Sequence, residues 1–444
     1  MKRPYVKYLI CIICTPILLS HLHMIMPIPM AAKPCALASA GGASEAGGIE
    51  SEVSIKVLSP DTFMDSMRQD VTFQIAPSPG SASSTLSTSL PDPPWRLALK
   101  VSRRFAKLNE YNGISAAYLS TATELAYNAK LKVSVGRLAN NWSLWQGDTV
   151  VLSPHAPGYD QLQYSFRRGP ATVDKIIGRL SGDDRYLLAH RLTLTVGGAT
   201  AAIGETAVCN RKFAVNLVSF LPWPYYWTQW VGLDAGFINN NDVNVYAFVQ
   251  GMYRTKGGAL IGAELMVDDM PHWFGTYQIF QVAGLARAEL PLWRFGKLNL
   301  QYVRVNNYTY SFQKDIGHYV HHDFLLGFPY GPDGDELHLN YQFARPIFGF
   351  TDVGLIIRRH GEGRIGDTWE KDGYEKTKDN SFLTGVVESA QLIYTSATYQ
   401  LLPNVELSAR FGVGPVQNAK NRKGYNKVTA IGFVDIKYHM PISR

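Results

Sequence analysis

The sequence predicts an all-β fold, a large antiparallel transmembrane β-barrel of about 16 to 18 strands. Three observations lead to this prediction. From Trp95 onward, segment after segment alternates apolar and polar residues, which is the period of a strand with two different faces. The 444 residues include 24 Tyr, 9 Trp and 39 Gly, a composition that strands and tight turns favour. After residue 50 the chain lacks the run of about 18 apolar residues that a membrane-crossing helix needs.

The residues DELHLNYQF at 335–343 show this alternation clearly. One face is apolar and consists of Leu337, Leu339, Tyr341 and Phe343. The other face is polar and consists of Glu336, His338, Asn340 and Gln342. In a membrane barrel the first set would meet lipid and the second would line the lumen. The same pattern recurs in LKVSV, HRLTLTV, KLNLQY and NVELSARFGV.

Two soluble β folds explain the pattern less well. A β-sandwich would divide the chain into domains of about a hundred residues. A propeller would repeat every forty to fifty residues or so. Residues 95–444 show neither feature, whereas a closed barrel accounts for the length and removes unpaired strand edges.

The first 40 residues are predicted to be a signal peptide. Three basic side chains lie within the first seven residues, an apolar run spans 8–19, and Ala-Ser-Ala at 38–40 offers a cleavage site. The alternative for this segment is an uncleaved anchor helix. Three of the four cysteines precede residue 40, so Cys209 alone would remain and no internal disulfide is predicted.

The charge distribution argues against nucleic-acid binding. The formal charge is +7, but four of the 43 basic residues lie in the predicted signal, which leaves 39 against 36 acidic residues. A balance this weak and dispersed does not form a nucleic-acid surface. Residues 41–94 are rich in Ser, Gly and Pro and are predicted to be a flexible periplasmic segment, with the barrel occupying 95–444.

Three motifs have a structural and a functional interpretation. FLPWPYYWTQW at 220–230 is typical of an interfacial aromatic belt, and sugar stacking is its alternative. In GHYVHHD, His321 and His322 would point to opposite faces of a strand, although in a loop they need not; neither metal nor cofactor is predicted. In ELMVDD, Glu264 and Asp268 would lie about 13 Å apart on one strand, at about 3.3 Å per residue. That exceeds the carboxylate separation of glycosidases, so the chain is not predicted to be an enzyme.

The order of seven motifs resembles the capsule assembly Wzi family of outer-membrane proteins. The motifs are GRLANNWSLWQGDTVVLSPHAPGYDQLQY, DDRYLLAHRL, GETAV, AELMVDDM, YVRVNNYTYSF, LLGFPYGPDGDELHLNY and RRHGEG, in that order. The likeness runs from about Gly136 to Gly363 and continues more weakly to the C-terminus.

This resemblance implies a large barrel in the outer membrane of a diderm bacterium, with a plugged lumen and no catalysis. It implies a lectin-like role, in which the partner is capsular or exported polysaccharide held at the cell surface. The other expected partners are outer-membrane lipids and the barrel-assembly machinery, and a monomer is expected. A porin-type channel for sugars or small solutes is the alternative function.

Eleven residues inside these motifs are candidates either for polysaccharide binding or for a polar network that stiffens the lumen. Both interpretations stay open at this stage, because a polar barrel interior needs paired side chains with or without a ligand. The candidates are Trp142, Trp145, Asp160, Arg185, His190, Arg191, Asp268, Arg304, Tyr308, Tyr310 and Asp333.

Overall fold

A computed structural model gives the structure of most of the chain. It describes residues 49–58, 67–75, 95–105, 110–145, 147–214, 243–269, 281–347, 349–368, 382–402 and 405–439. The predicted signal peptide and the aromatic stretch at 220–230 lie outside these residues. Within the described part, no helix combines the length and apolar character needed to cross a membrane.

The described residues are mostly strands. In chain order these are β1 (Ile49–Leu58), β2 (Met67–Ile75), β3 (Trp95–Phe105), β4 (Glu110–Leu125), β5 (Ala129–Leu138), β6 (Tyr159–Arg168), β7 (Ala171–Arg179), β8 (Tyr186–Val196), β9 (Ala199–Cys209), β10 (Val243–Arg254), β11 (Leu260–Asp269), β12 (Gln281–Pro291), β13 (Gly296–Val305), β14 (Val320–His321), β15 (Phe324–Leu325), β16 (Gly334–Ile347), β17 (Phe350–His360), β18 (Glu388–Leu402), β19 (Val405–Gln417) and β20 (Lys427–His439). The helical elements are α1 (Arg211–Ala214) and 3₁₀ turns at Ala126–Asn128, Trp293–Phe295, Asp315–Gly317 and Ala419–Asn421.

All of these strands except β14 and β15 form one 18-stranded antiparallel sheet. Each strand pairs with the next along the chain, and β13 pairs with β16. The last strand, β20, returns to pair with β1, with Glu52 opposite His439. Every strand of the sheet therefore has two hydrogen-bonded neighbours, as a membrane barrel requires. The predicted large antiparallel barrel is confirmed.

The barrel begins earlier in the chain than the sequence analysis places it. The prediction of a flexible segment over 41–94 is wrong for β1 and β2, because β1 pairs with both β2 and β20, and β2 pairs with β3. Val53, Ile55 and Val57 do alternate with polar residues, but the Ser- and Pro-rich composition around them conceals this short pattern. Around β1, the local composition and the strand period indicate different structures, and the structure follows the period.

The strands have an apolar outer face and a mixed inner face. On β11, Leu265 is 44% exposed on the outside, whereas its neighbours Glu264 and Met266 are 3% and 0% exposed on the inside. On β19, Phe411 and Val413 are likewise exposed. Exposed apolar side chains on successive outer positions form the surface that a bilayer would cover.

The two ends of the barrel differ in their connections. One end, the short-turn end, has tight turns such as 169–170 and 197–198, where Gly169 and Gly197 adopt φ values of 55° and 59°. The other end, the long-loop end, carries the connections 139–158, 306–333 and 361–387. In outer-membrane barrels the short turns face the periplasm and the long loops face outward.

Candidate functional site

Two long-loop connections, 139–158 and 306–333, fold back into the barrel. We call them the first and second plug segments, and together the plug. Their apolar side chains join lumen-facing residues of β7 to β13 in one buried cluster. Members from the plug include Trp142, Val150, Leu152, Tyr310 and Phe328. A packed apolar core therefore occupies the lumen next to the long-loop end, against β7 to β13.

Trp142 anchors the first plug segment to the wall. Its carbonyl oxygen accepts hydrogen bonds from Arg191 Nη1 at 2.8 Å and Gln250 Nε2 at 2.9 Å. The Arg191 guanidinium lies 4.9 Å from the centroid of the indole ring, and the ring of Phe248 packs at 5.9 Å. Arg191 is held in turn by Asp174 at 2.9 Å. The indole is 3% exposed, so its faces are occupied by protein.

Glu264 is the second wall anchor of this segment. Its Oε2 accepts hydrogen bonds from Thr149 Oγ1 at 2.6 Å and from the Val150 amide at 3.1 Å. Gln250 lies directly opposite on β10. Among the described residues, Oε1 of Glu264 and Oε1 of Gln250 are both buried without a hydrogen-bond partner. A proton carried by Glu264 would satisfy both oxygens, because buried polar atoms require partners.

The tip of the first plug segment reaches β13. Gln301 Nε2 donates to Asp148 Oδ2 at 3.1 Å, and His155 Nε2 lies 2.9 Å from Asp148 Oδ1. Burial raises the pKa of Asp148, but the interactions with His155 and Gln301 outweigh it and hold that pKa at about 2. Trp145 packs on Gly262 of β11, where an added Cβ would lie 2.2 Å from the ring.

The second plug segment is tied to both the wall and the first segment. The Tyr310 amide donates to Asp268 Oδ2 at 2.8 Å, and the Tyr310 hydroxyl donates to the Val150 carbonyl at 2.8 Å. Tyr308 and Tyr310 both have positive φ, 66° and 71°. Bulky residues adopt this conformation only where surrounding contacts enforce it. The two segments therefore behave as one packed unit.

Arg185 fixes the middle of the second plug segment, and Asp333 fixes its end. Arg185 donates to the carbonyls of Ile316 at 3.2 Å and His318 at 2.5 Å. Asp333 is fully buried and accepts hydrogen bonds from the Gly363 amide at 2.9 Å and the Thr384 hydroxyl at 2.6 Å. Asp333 thereby joins the plug to the third long connection, 361–387.

The eleven sequence candidates fall into three groups by exposure. Asp160 and Arg304 are exposed, Arg185 and Arg191 are half-buried, and seven are buried. The buried seven are Trp142, Trp145, His190, Asp268, Tyr308, Tyr310 and Asp333.

The candidates do not all meet in one place. Asp160 lies at the long-loop end of β6 in a two-bond pair with Arg137, at 2.8 and 2.7 Å. Arg304, near the end of β13, lies 3.7 Å from the ring centroid of Phe382. His190 lies between Lys175 and Glu205 on adjacent strands, with its Nε2 3.5 Å from Glu205 Oε2.

Sequence reasoning missed several residues that hold the plug. Thr149, Gln250 and Gln301 all donate hydrogen bonds within this network, yet none was a candidate. The strand period does place Gln250 and Gln301 on the lumen face, so their polarity was the available signal. Among the described residues, no group of three or more His, Cys, Asp or Glu side chains is arranged to hold a metal ion.

Comparison with known proteins shows the fold. No family model matches the chain, and no curated protein matches it in sequence. Among solved structures, it is similar to Wzi of Escherichia coli, described as an outer membrane protein involved in group 1 capsule assembly and a carbohydrate-binding β-barrel. That likeness has a TM-score of 0.55 at 10% identity and covers 89% of this chain and 85% of the other.

Two further barrels are similar at lower scores. OpdP of Pseudomonas aeruginosa matches with a TM-score of 0.45 and 12% identity, over 94% of this chain and 98% of the other. OmpT of Vibrio cholerae, an outer membrane protein, matches with a TM-score of 0.35 and 14% identity, over 89% and 97%. The chain thus has an outer-membrane β-barrel fold related to that of Wzi.

Proposed function

We propose that this protein is an outer-membrane barrel of the capsule assembly Wzi family that binds or anchors capsular or exported polysaccharide at the cell surface. The observation that carries the proposal is the plug, which packs aromatic and aliphatic side chains into the lumen next to the long-loop end. A solute channel needs a continuous aqueous path, whereas a polymer anchor needs a rigid outer surface. The seven ordered motifs and the fold shared with Wzi support the same role.

The surface offered to the polymer is the rim of the long-loop end. Arg137, Asp160 and Arg179 form a row across β5, β6 and β7, and His322 of the second plug segment is exposed beside them. Arg304 is exposed at the end of β13. Charged and planar side chains of this kind recognise sugar hydroxyls and carboxylates through paired hydrogen bonds.

We assign different roles to the exposed and buried candidates. Asp160 and Arg304 contact the polymer. Of the other nine, all except His190 position the plug, and so keep the rim from rearranging when the polymer binds. A surface held by packed supporting side chains loses less conformational entropy on binding than a mobile one.

The proposed role is not catalytic. Glu264 and Asp268, the carboxylates considered for glycoside hydrolysis, each hold backbone or hydroxyl donors of the plug. Substitution of either residue should therefore loosen the plug. Loss of a polysaccharide-hydrolysing activity in these variants would instead support an enzyme.

The cellular setting follows from the same proposal. The chain is exported by its N-terminal signal, enters the outer membrane through the barrel-assembly machinery, and functions as a monomer among outer-membrane lipids. The exposed apolar side chains on the outer face of the strands support a location in the lipid bilayer.

The test combines binding and conductance. Purified protein is titrated with capsular polysaccharide from the same cells, and Arg304→Gln is compared with Arg168→Gln, a matched change at the short-turn end of β6. We expect the first to weaken binding roughly two- to fivefold and the second to leave it unchanged, since an exposed charge contributes up to about 1 kcal/mol. Deletion of the gene should release capsule from cells.

Planar-bilayer recording separates the anchor from the porin. Heat-modifiable, correctly folded protein should give no steady conductance. Large, steady conductance that added sugar blocks would overturn the anchoring role and establish the channel.

A further inference from the structure

A second polar site lies below the plug, nearer the short-turn end of the lumen. A cavity of about 210 Å³ is bounded there by lumen-facing residues of β12, β13 and β16 to β19. Gln301, which donates to Asp148 of the plug, forms part of its upper boundary. Asn299 lies three residues from the start of β13 and Asp352 two residues from the start of β17, both at the short-turn end. We call this cavity the lower chamber.

Side-chain amides form a ladder along its wall. Asn299 Nδ2 donates to Asn340 Oδ1 at 3.1 Å, and Asn340 Nδ2 donates to Asp352 Oδ1 at 3.0 Å and to the Tyr394 hydroxyl at 2.9 Å. Asn299 Oδ1 is buried and has no hydrogen-bond partner among the described residues. A buried amide oxygen without a partner is unusual and marks a place for a ligand hydroxyl or water.

Tyr394 lies flat on the wall because the strands beneath it carry glycine. An added Cβ at Gly354 would lie 2.3 Å from Tyr394 Cζ, and one at Gly412 would lie 2.8 Å from Tyr394 Cβ. The Arg410 guanidinium lies 4.7 Å from the centroid of the tyrosine ring. Two glycines thus make room for an aromatic side chain that presents Arg410 to the chamber.

Arg410 is the cation that lacks a carboxylate. It donates through Nε to Ser396 Oγ at 3.0 Å, and no described carboxylate pairs with its guanidinium. By contrast, Arg287 and Lys297 share Glu289, each at 3.1 Å. Of the two arginines that line the chamber, Arg287 is therefore paired with a carboxylate, whereas Arg410 is paired with none among the described residues. An anionic group is the ligand chemistry that balances it.

We propose that the lower chamber binds a single acidic sugar residue, with its carboxylate on Arg410 and its hydroxyls on the Asn299–Asn340 amides. The volume is below the roughly 300 Å³ at which sites for drug-sized ligands begin, so one sugar ring fits and a chain segment does not. The site is separate from the rim and does not depend on polymer anchoring. We assign its access to the short-turn side, from which a periplasmic sugar acid would enter.

The test is calorimetric titration of the full-length protein in detergent, at low salt, with D-glucuronate, D-glucose and inorganic phosphate as probes. We expect glucuronate to saturate one site per protein, and glucose and phosphate to bind at least tenfold more weakly. Arg410→Gln should weaken glucuronate binding at least tenfold. The matched control Arg168→Gln, an arginine on the outer face of β6, should leave it unchanged.

A second variant, Asn299→Asp, tests the site independently in case Arg410→Gln does not fold. Asn299→Asp keeps the side-chain size and adds a negative charge beside the proposed carboxylate, so glucuronate should weaken while glucose does not. Heat-modifiable migration shows that each variant is folded. The proposal is overturned if folded parent protein binds no glucuronate, if glucose or phosphate binds equally well, or if neither variant changes the affinity. Because the probes are free monosaccharides, failure here leaves capsule retention unaffected.

Discussion

Replacement of Glu264 tests how the plug is held. Glu264→Ala removes the acceptor of the Thr149 hydroxyl and of the Val150 amide, both of which are fully buried. Each buried donor left without a partner costs about 1–3 kcal/mol, so the two together cost about 2–6 kcal/mol. Since about 1.4 kcal/mol is a tenfold change, the lower value already shifts the opening equilibrium of the first plug segment about 25-fold.

Glu264→Gln is the matched control. If Glu264 carries a proton that it donates to the Gln250 oxygen, a glutamine can make the same hydrogen bonds. An amide at this position accepts from Thr149 and Val150 through its oxygen and donates to the unpartnered Gln250 oxygen through its nitrogen. The substitution should therefore leave the plug almost as stable as in the parent protein. If Glu264 were instead a carboxylate anion, the amide would lose charge-assisted hydrogen bonds, which are about twice as strong as neutral ones.

Hydrogen exchange measured by mass spectrometry reads this equilibrium directly, since buried amides exchange through local opening. A peptide covering 142–152 should exchange at least about 25-fold faster in Glu264→Ala and within about threefold of the parent in Glu264→Gln. A peptide from β18 serves as the internal reference. Unchanged exchange in Glu264→Ala, or equal acceleration in both variants, would refute the reasoning.

Three further predictions concern other parts of the network. Asp333→Ala leaves the Thr384 amide and hydroxyl unpaired, so we expect the connection 361–387 to be cleaved at least tenfold faster in limited proteolysis, and an unchanged rate would contradict this role. Burial and nearby positive charges lower the pKa of His321 to about 3. Its contribution to plug stability is therefore complete above about pH 6.5 and is lost as the pH falls toward 3, with roughly 2 kcal/mol lost at pH 5. Exchange of the second plug segment should accelerate accordingly, and His321→Asn should remove this pH dependence. Gly354→Ala places a methyl group against the tyrosine ring of the lower chamber and should cost about 1–3 kcal/mol in thermal unfolding. Gly251→Ala, where the added Cβ would meet nothing within 4 Å, should cost much less, and equal losses would show that strand glycines matter only through the backbone.

The wall of the barrel could be predicted because its pattern is local. Alternation along β16 placed His338, Asn340 and Gln342 in the lumen, and all three line the lower chamber. Because side chains alternate between the two faces of a strand, the sequence of one strand is enough to assign each residue to the lipid side or to the lumen. Where neighbouring composition conceals the period, as around β1, the same reasoning fails.

The plug could not be predicted by such reasoning, since strand alternation does not show where a loop folds. The apolar residues Val150, Val151 and Leu152 were the available signal, because an outer loop in water has little reason to carry them together. Their partners come from strands more than a hundred residues away in sequence, such as Glu264. The sequence therefore identified several residues of the plug as candidates, including Trp142 and Tyr310, but it did not predict that they pack together.

The apolar core inside the lumen gives this membrane protein two regions with different responses to temperature. Side chains on the outer face rest against lipid, where apolar contact brings little gain over contact with acyl chains. The cluster around Val150 and Tyr310 is instead withdrawn from water, and its stability carries the large heat-capacity change of aqueous burial. Hydrophobic burial weakens on cooling. The plug should therefore loosen in the cold while the hydrogen-bonded wall around it stays intact.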